Sequence, residues 1–565
     1  MDKFAQFTSS AHIAYFSMEI ALRPEVHTYS GGLGMLAGDT ARSCADLEMP
    51  VVFVTLASRK GYLRQEIDAA GNQIELEDPW DVTAWTEPLG ALVAVQIEGR
   101  GVWVRPWLYR LKGGTGFEVP VVILDTDVEG NAPQDRALTD RLYGGDTAYR
   151  LKQEVVLGVG GLRVLRALGF AISTYHMNEG HAALLAVELL RDHGEPVSQP
   201  RPGEFPYDLG RVRQACIFTT HTPVEAGHDR FPYSMVEQVV DGWFDMDHLK
   251  LVGGHDELNM THLALYLSGY VNGVAKRHAQ TSRKMFPGYK VHAVTNGVHA
   301  PTWAAPSFAK LFDEYCPDWR HEPELLAQMR EPGDELVWQA HQEAKGALIE
   351  QVRAITGKSF DAEVPILGFA RRMTGYKRPD LLFSDIDRLR AIGEKTPFQL
   401  VLAGKAHPRD QQGKDLIRFV LEQAKALEGV VPIAYLPNYE MAVARYLKPG
   451  VDVWLNTPLP PLEASGTSGM KAALNGGLNV SVLDGWWYEA CIEGRNGWGI
   501  GGADGGARLA DADELYDKLS RVVLPLYYDD RPRWIWMMKR AITEIASYFN
   551  SHRMMRRYAA EAYIR

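Results

Sequence analysis

The sequence predicts an α/β protein made of two Rossmann-like, doubly wound lobes that face a central cleft. Its 565 residues exceed what one hydrophobic core usually serves, which favours two lobes. Short apolar runs typical of buried parallel strands alternate with segments of helical periodicity. Glycine-rich turns and clustered cations follow several of these strands, where ligands of open α/β sheets bind. The sequence therefore predicts a ligand site between the lobes.

The composition excludes several classes of protein. A formal net charge of -11 argues against a general nucleic-acid partner, since phosphate neutralisation needs a basic surface. Four cysteines lie far apart without a CxxC pair, so neither a zinc site nor a disulfide framework is predicted. The N-terminus lacks a secretory pattern and no apolar run is long enough to span a bilayer. We therefore predict no membrane partner, no bound metal and a cytoplasmic location.

The N-terminal lobe is predicted to begin with a βαβ unit. Residues 12–18 form a strand, residues 30–34 a glycine-rich loop, a helix runs to about Leu47, and Val51–Leu56 is the second strand. The glycines let backbone N–H groups approach an anion closely, although a tight turn explains them equally well. Residues 59–125 read as a β-rich insertion without assignable chemistry.

Two further strands of this lobe are predicted to end in polar turns. Residues 146–168 form a core helix, and residues 172–190 a strand and a helix. The strand at 215–221 ends at His221, which the residues alone describe best as a structural histidine. The strand at 291–297 ends at Asn296, whose side chain either stabilises the turn or binds a sugar hydroxyl.

The second lobe is predicted as a regular alternation of strands and helices. We expect domains at 1–305, 306–529 and 530–565, the last being helices that pack on the lobes. The predicted strands are 365–370, 398–404, 430–436, 451–455 and 478–483. This order predicts a parallel, doubly wound sheet.

Residues 463–477 carry the strongest chemical signal, because a glycine-rich run opens a helix that contains a lysine. Backbone N–H groups and hydroxyls of residues 466–469 suit a phosphate group. Lys471 follows within the first turn, where its amine can form a Schiff base with an aldehyde cofactor that carries a phosphate. Pyridoxal phosphate is the obvious candidate. A capped helix with Lys471 on its solvated face is the alternative.

A cluster of cations follows the first strand of the second lobe. Four cations lie within eight residues: Arg371, Arg372, Lys377 and Arg378. Guanidinium groups that donate two hydrogen bonds each, together with the ammonium group of a lysine, are suited to binding a phosphate dianion. A solvated face is the alternative, and it stays open for Arg378 beside a proline. Together with the two glycine-rich turns, the cluster provides room for two phosphate groups in one cleft.

Several ordered motifs give the chain a resemblance to a known family. They are EASGTSGMK at 463–471, GYKR at 375–378, TNG at 295–297, VNGVAK at 271–276 and RLKQE at 150–154. From about residue 12 to about residue 500 the chain resembles the α-glucan (glycogen and maltodextrin) phosphorylases, most closely their shorter bacterial branch. The resemblance implies a GT-B type glycosyltransferase fold. It also implies reversible phosphorolysis of a terminal α-1,4-linked glucose, giving α-D-glucose 1-phosphate with retained configuration.

The resemblance also implies roles for individual residues. Lys471 would bear pyridoxal 5'-phosphate as a Schiff base, and its surroundings would include Gly466, Thr467, Arg371 and Tyr439. The reacting phosphate would be bound by Arg372, Lys377 and the Gly32 backbone. The glucose would contact Glu463, Asn296 and His221. The cofactor phosphate would then act as a proton shuttle, with Lys471 as its tether.

The chain departs from the family pattern at three places. Ser468-Gly469 replaces the usual Gly-Asn, Thr374-Gly375 replaces His-Glu, and Glu440 stands where many relatives carry arginine. These changes bear on the surroundings of the cofactor and on chain-length preference.

Two alternatives to this function remain at the level of sequence. One is a nucleotide-sugar-dependent glucan synthase of the same architecture, which would not require Lys471. The other is an inactive glycan-binding homologue. The expected partners are an α-glucan or oligosaccharide and inorganic phosphate or glucose 1-phosphate, with a homodimer expected from the family.

Overall fold

A computed structural model describes residues 3–194, 205–224, 227–240, 242–502 and 508–564, and it confirms the predicted α/β class with parallel sheets. Within these ranges, no helix combines the length and the apolar character that crossing a bilayer demands. Each half of the chain contributes one large sheet, and helices cover the sheets on both faces.

The strands of the first half, in chain order, are β1 Ile13–Ser17, β2 Val51–Leu56, β3 Arg64–Ile67, β4 Gln73–Leu76, β5 Glu87–Pro88, β6 Val93–Ile97, β7 Arg100–Lys112, β8 Glu118–Asp125, β9 Thr174–Asn178, β10 Cys216–Thr219, β11 Arg230–Pro232, β12 Glu257–Asn259, β13 Tyr270–Gly273 and β14 Val291–Ala293. Within the described part of the chain, the main sheet runs β14-β13-β10-β9-β1-β2-β8-β7-β5, and β6 pairs with β7. The strands from β14 to β8 are parallel, and β7 is antiparallel to β8.

The second half forms a parallel sheet in the order β17-β16-β15-β18-β19-β20. Its strands are β15 Ile366–Ala370, β16 Gln399–Ala403, β17 Ile433–Leu436, β18 Val453–Asn456, β19 Leu478–Val482 and β20 Gly497–Ile500. All of them are buried along their whole length, as expected for parallel strands covered on both faces.

The α-helices are α1 Lys3–Ser10, α2 Gly32–Asp46, α3 Val82–Trp85, α4 Pro133–Arg136, α5 Thr147–Val155, α6 Gly161–Ala167, α7 Leu184–Asp192, α8 Leu209–Ala215, α9 Tyr233–Val240, α10 Met246–Gly253, α11 Met260–Tyr266, α12 Lys276–Met285, α13 Ala300–Trp303, α14 Pro306–Tyr315, α15 Asp334–Thr356, α16 Ile386–Lys395, α17 Gln411–Ala426, α18 Met441–Gly450, α19 Ser468–Ala473, α20 Trp487–Ala490, α21 Arg508–Lys518, α22 Leu524–Asp529, α23 Arg531–Arg540 and α24 Ser551–Tyr558. A π-helical segment, Val156–Gly160, joins α5 to α6.

The first βαβ unit is confirmed as β1, α2 and β2, and the five strands predicted for the second half are confirmed as β15 to β19. Four strands of the described residues were not predicted, β11, β12, β13 and β20. The β-rich insertion predicted at 59–125 contains β7 and β8, which extend the main sheet beyond β2.

Two segments tie the halves of the chain together. The hairpin β3–β4 crosses the cleft, where Gln65 Nε2 donates to the Gly404 carbonyl at 2.9 Å and Gln73 Nε2 donates to the Ala406 carbonyl at 3.0 Å. The C-terminal helix α24 returns to the first half, where its apolar side chains join the core beside α2 and β2. The predicted boundary at about residue 305 falls between the sheets.

Candidate active site

A cavity of about 790 Å³ lies between the two sheets, and residues of both halves line it. The structure brings together there every residue to which the family resemblance gives a role. They are Gly32, His221, Asn296, Arg371, Arg372, Lys377, Tyr439, Glu463, Gly466, Thr467 and Lys471. The carboxyl ends of the strands of both sheets therefore face one space, as the doubly wound topology requires.

The carboxylate of Glu463 forms ion pairs with two of the cations, Arg371 and Lys377. Strand β15 ends at residue 370, so Arg371 follows it directly, and a 3-10 turn at Gly375–Lys377 brings Lys377 back to the same side. Arg371 Nη2 and Lys377 Nζ both donate to Glu463 Oε2, at 2.7 and 2.5 Å. The three groups carry a net positive charge, so the cluster can still attract an anion.

The ion pairs fix the charge of Glu463. Burial alone would raise the pKa of its carboxyl group, but Arg371 and Lys377 outweigh that effect and hold the pKa at about 2. Glu463 is therefore ionised at neutral pH and accepts hydrogen bonds only. Arg378 has a different environment, because it is 3% exposed and pairs with Asp511 at 2.8 Å. The solvated face that remained open for Arg378 is therefore wrong.

A second carboxylate, Glu19, shapes the glycine-rich loop. Glu19 Oε2 accepts from the N–H groups of Ser30 and Gly31 at 2.6 and 3.1 Å, and Glu19 Oε1 accepts from the Tyr143 hydroxyl at 2.8 Å. Gly32 begins α2, so its N–H has no acceptor within the helix and can turn to a ligand. Across the cleft, a Cβ built on Gly31 would lie 3.6 Å from Arg372 Nη2. The loop and this arginine therefore face each other.

Lys471 lies in a dry corner of the cavity. It belongs to α19 and is 1% exposed, and its Nζ lies 3.8 Å from the centroid of the Trp303 ring and 3.9 Å from Asp39 Oδ2. Burial, and next the nearby charge of Lys448, lower the pKa of the Lys471 amine well below its usual value. An uncharged lysine amine is a nucleophile, which is the form that condenses with an aldehyde.

The loop before α19 offers a cradle beside this amine. Gly466 has φ +77°, a left-handed conformation that favours glycine, and a Cβ there would meet Trp486 at 3.4 Å. Thr467 is the N-cap residue but its side chain makes no capping hydrogen bond. Both residues line the cavity, so the hydroxyl of Thr467 is available to a ligand.

His221 and Asn296 lie on the other side of the cavity. His221 Nε2 lies 2.6 Å from Asn178 Oδ1, and burial lowers the pKa of the imidazole to about 3, so the ring is neutral. Asn296 is 4% exposed, and within the described ranges its Oδ1 has no hydrogen-bond partner. This buried amide oxygen lines the cavity and can accept a hydrogen bond from a ligand hydroxyl.

Four residues of the site were missed by the sequence analysis. They are Glu19, Asp39, Trp303 and Lys448, which lie far apart in the sequence and meet only in the folded chain. Glu19 follows β1 and precedes the glycine-rich loop, so its place near that loop was a usable signal. Nothing in the local sequence distinguishes Lys448 from a lysine on the outside of α18.

Comparisons with known proteins show which proteins this chain is similar to. Residues 224–493 match the family model described as carbohydrate phosphorylase. The chain is 39% identical to a maltodextrin phosphorylase of Thermococcus litoralis, over 98% of this chain and 70% of that protein. It is 39% identical to a glycogen phosphorylase of Mycobacterium tuberculosis, again over 98% and 70%. A glycogen phosphorylase of Aquifex aeolicus is 36% identical, over 98% of this chain and 86% of that protein.

This similarity extends over nearly the whole chain. Each of the five motifs named in the sequence analysis contributes at least one residue to the lining of the cavity. The resemblance seen in the sequence is therefore confirmed: the chain belongs to the carbohydrate phosphorylase family.

Proposed function

We propose that this protein is a glucan phosphorylase that uses pyridoxal 5'-phosphate. It transfers the terminal α-1,4-linked glucose of a glucan or oligosaccharide to inorganic phosphate and releases α-D-glucose 1-phosphate with retained configuration. The relatives named glycogen and maltodextrin phosphorylases support phosphorolysis of a glucan. The observation that carries the proposal is the meeting of three cations, two glycine-rich turns and a buried lysine in one cavity.

The residues present fit the cofactor. Lys471 supplies a buried amine whose lowered pKa favours the uncharged form that reacts with an aldehyde, and Gly466 and Thr467 lie beside it at the start of α19 for the phosphate. Arg371 adds a guanidinium at the same end of the cavity. When bound, pyridoxal phosphate supplies a phosphate group that can exchange a proton with the reacting phosphate.

The reacting phosphate would be held by Arg372, by Lys377 and by the N–H of Gly32. In phosphorolysis a phosphate oxygen bonds to the anomeric carbon as the bond to the glycosidic oxygen breaks, and that oxygen leaves with a proton. The anomeric carbon gains positive charge on the way, so a dianion held beside it lowers the barrier. The cations orient this dianion beside the anomeric carbon.

The sugar would be oriented by His221, Asn296 and Glu463. The free Oδ1 of Asn296 accepts from a sugar hydroxyl, and Glu463 can accept from another through the oxygen that does not face the cations. Asn178 and Glu179 hold His221 in place. Nε2 of its ring lies 2.6 Å from Asn178 Oδ1, and its backbone N–H donates to Glu179 Oε2 at 2.8 Å. Such fixed partners favour one orientation of the glucose.

Chemical trapping tests the cofactor. Borohydride reduction of the purified protein, followed by peptide mapping, should leave a phosphopyridoxyl group on Lys471. The Lys471→Ala variant should carry none, whereas Lys395→Ala, which removes an exposed lysine at the end of α16, should keep it.

An activity assay tests the reaction. Phosphate release from glucose 1-phosphate is measured with a panel of maltodextrins and glycogen as acceptors, and Lys471→Ala should lose it. Activity that requires a nucleotide sugar and proceeds without any adduct on Lys471 would overturn the proposal in favour of a glucan synthase.

A further inference from the structure

Lys448 is a second buried lysine in the cofactor corner of the cavity. It lies in the last turn of α18, is 5% exposed and lines the cavity together with Lys471. Its Nζ lies 4.9 Å from the centroid of the Trp303 ring, which Lys471 approaches to 3.8 Å, and 5.6 Å from that of Tyr439. The two amines therefore share one aromatic neighbour.

The corner has too little negative charge for two ammonium groups. Asp39 on α2 is the acid that favours the charged form of both lysines, and it also lies 3.5 Å from Arg42 on the same helix. Trp303 Nε1 donates to both oxygens of Asp39 at 2.9 Å, which fixes the carboxylate in place. Protonation of both lysines would leave buried positive charge without compensation, which is strongly unfavourable.

We propose that Lys448 is a positioning residue for the cofactor: it places a second amine beside Lys471 and so favours the uncharged Lys471 that condenses with the aldehyde. This inference rests on the proposed function, since it concerns the same lysine and the same cofactor. It goes further because it assigns to Lys448 the task of preparing Lys471 for the reaction.

The chemistry explains why the charge matters. The nitrogen of Lys471 adds to the aldehyde carbon with its lone pair, a carbon–nitrogen double bond replaces the carbonyl bond, and the oxygen leaves as water. A protonated amine has no lone pair to add, so the rate follows the uncharged fraction. A like charge nearby disfavours protonation, and the closeness of Lys448 supplies one.

The directions of the pKa shifts agree with this role. Burial lowers the pKa of Lys448 to about 7, against a weaker opposing effect of Asp39. Burial and then the charge of Lys448 lower the pKa of Lys471 well below its usual range. The proximity of Lys448 therefore adds to the effect of burial and favours the uncharged form of Lys471. The charged and titratable groups around the two amines are Asp39, Arg42 and Tyr439.

The test measures uptake of pyridoxal 5'-phosphate by the full-length apoprotein between pH 5 and pH 10. Absorbance of the adduct and its amount on Lys471 after borohydride trapping give the pH midpoint of condensation. The variants are Lys448→Met and Lys448→Gln, which remove the charge, and Lys448→Arg, which keeps it. Lys395→Met is the matched control, since that lysine is exposed at the end of α16.

Both neutral variants should move the midpoint upward by about one pH unit, because a like charge nearby has been removed. Lys448→Arg should keep the midpoint at or below that of the parent protein, and Lys395→Met should leave it unchanged. A midpoint that is the same in Lys448→Met or Lys448→Gln as in the parent overturns the inference, even if either variant unfolds at a lower temperature. Absence of any adduct on Lys471 in the parent protein would instead overturn the proposed function.

Discussion

At the scale of single residues, the distinctive feature of the site is a carboxylate shared by two cations. Arg371 and Lys377 both donate to the same oxygen of Glu463, and all three side chains are at most 10% exposed. Breaking a buried ion pair by removing one partner is costly, because the remaining charge has lost its compensation. An added phosphate anion can provide that compensation, so phosphate and Glu463 act on the same cations.

The variant Glu463→Gln should therefore respond more strongly to phosphate than the parent protein does. In buffer without phosphate its thermal midpoint should fall by several degrees, because Arg371 and Lys377 are left without an anion. Inorganic phosphate should narrow the gap, since it binds the native state of the variant. The measurement is the thermal midpoint across a phosphate titration. Glu440→Gln, which changes another carboxylate of the cavity, is the control, and an equal response of Glu463→Gln and the parent would contradict the argument.

The same carboxylate predicts a dependence of stability on pH. The pKa of Glu463 is about 2 in the folded protein, below the value of about 4.3 for an unperturbed glutamate. Its stabilisation is therefore fully present above pH 4.3 and is lost as the pH falls toward 2. Acid titration followed by circular dichroism should show a smaller loss of stability over this range in Glu463→Gln than in the parent. Parallel curves would contradict it.

At this scale the sequence predicted the site residues that belong to short motifs and missed those that come together only in the tertiary structure. Arg372 and Lys377 follow a strand in a run of cations, and Lys471 follows a glycine-rich turn, so local pattern was enough. Lys448 and Trp303 are ordinary residues of a helix until tertiary packing brings them to one corner. No local periodicity carries that information.

At the scale of elements, burial decides what can be predicted. The strands β15 to β19 are mainly apolar and are buried along their whole length, because both faces of a parallel sheet are covered, and each was predicted. Strand β20 has four residues, two of them glycine, so it lacks the apolar signal although it is fully buried. The hairpin β3–β4 was assigned no role because its important side chains are polar.

That hairpin should stabilise the arrangement of the two halves. Gln65 is 2% exposed, and its side chain donates to Gln73 and Gly404 and accepts from the N–H of Asn438 at 2.9 Å. Gln65→Ala removes these bonds and deprives the Asn438 N–H of its acceptor, which costs about 1–3 kcal/mol of the free energy of unfolding, while the Gly404 carbonyl keeps its bond from the Tyr435 hydroxyl. Urea denaturation measures the loss. Gln96→Ala, at an exposed position of β6, should change little, and an equally small effect of Gln65→Ala would show that the hairpin does not fasten the halves.

At the scale of the whole molecule, residues 549–558 near the C-terminus pack against the turn at 295–298 in the first half of the chain. The N–H of Val298 donates to the Phe549 carbonyl at 3.0 Å, and the N–H of Ser551 donates to the Val298 carbonyl at 2.9 Å. A Cβ on Gly297 would lie 2.2 Å from the Asn550 carbonyl oxygen, so only glycine permits this approach. Tyr558 of α24 accepts from Asn272 Nδ2 at 2.9 Å in the first sheet. The C-terminal helix therefore supports the turn that carries Asn296.

Arg553 transmits this support most directly, because its guanidinium donates to the carbonyls of Thr295 and Asn296 at 2.9 and 3.1 Å. Arg553→Ala should loosen the turn and weaken orientation of the sugar while leaving Lys471 and its adduct untouched. We expect KM for the glucan to rise by roughly threefold to tenfold, the equivalent of about one hydrogen bond, with a smaller change in kcat. Arg557→Ala is the matched control, since Arg557 pairs with Glu561 within the C-terminal helical segment. An unchanged KM in Arg553→Ala, or an equal rise in Arg557→Ala, would show that the C-terminal helix does not position the sugar side of the site.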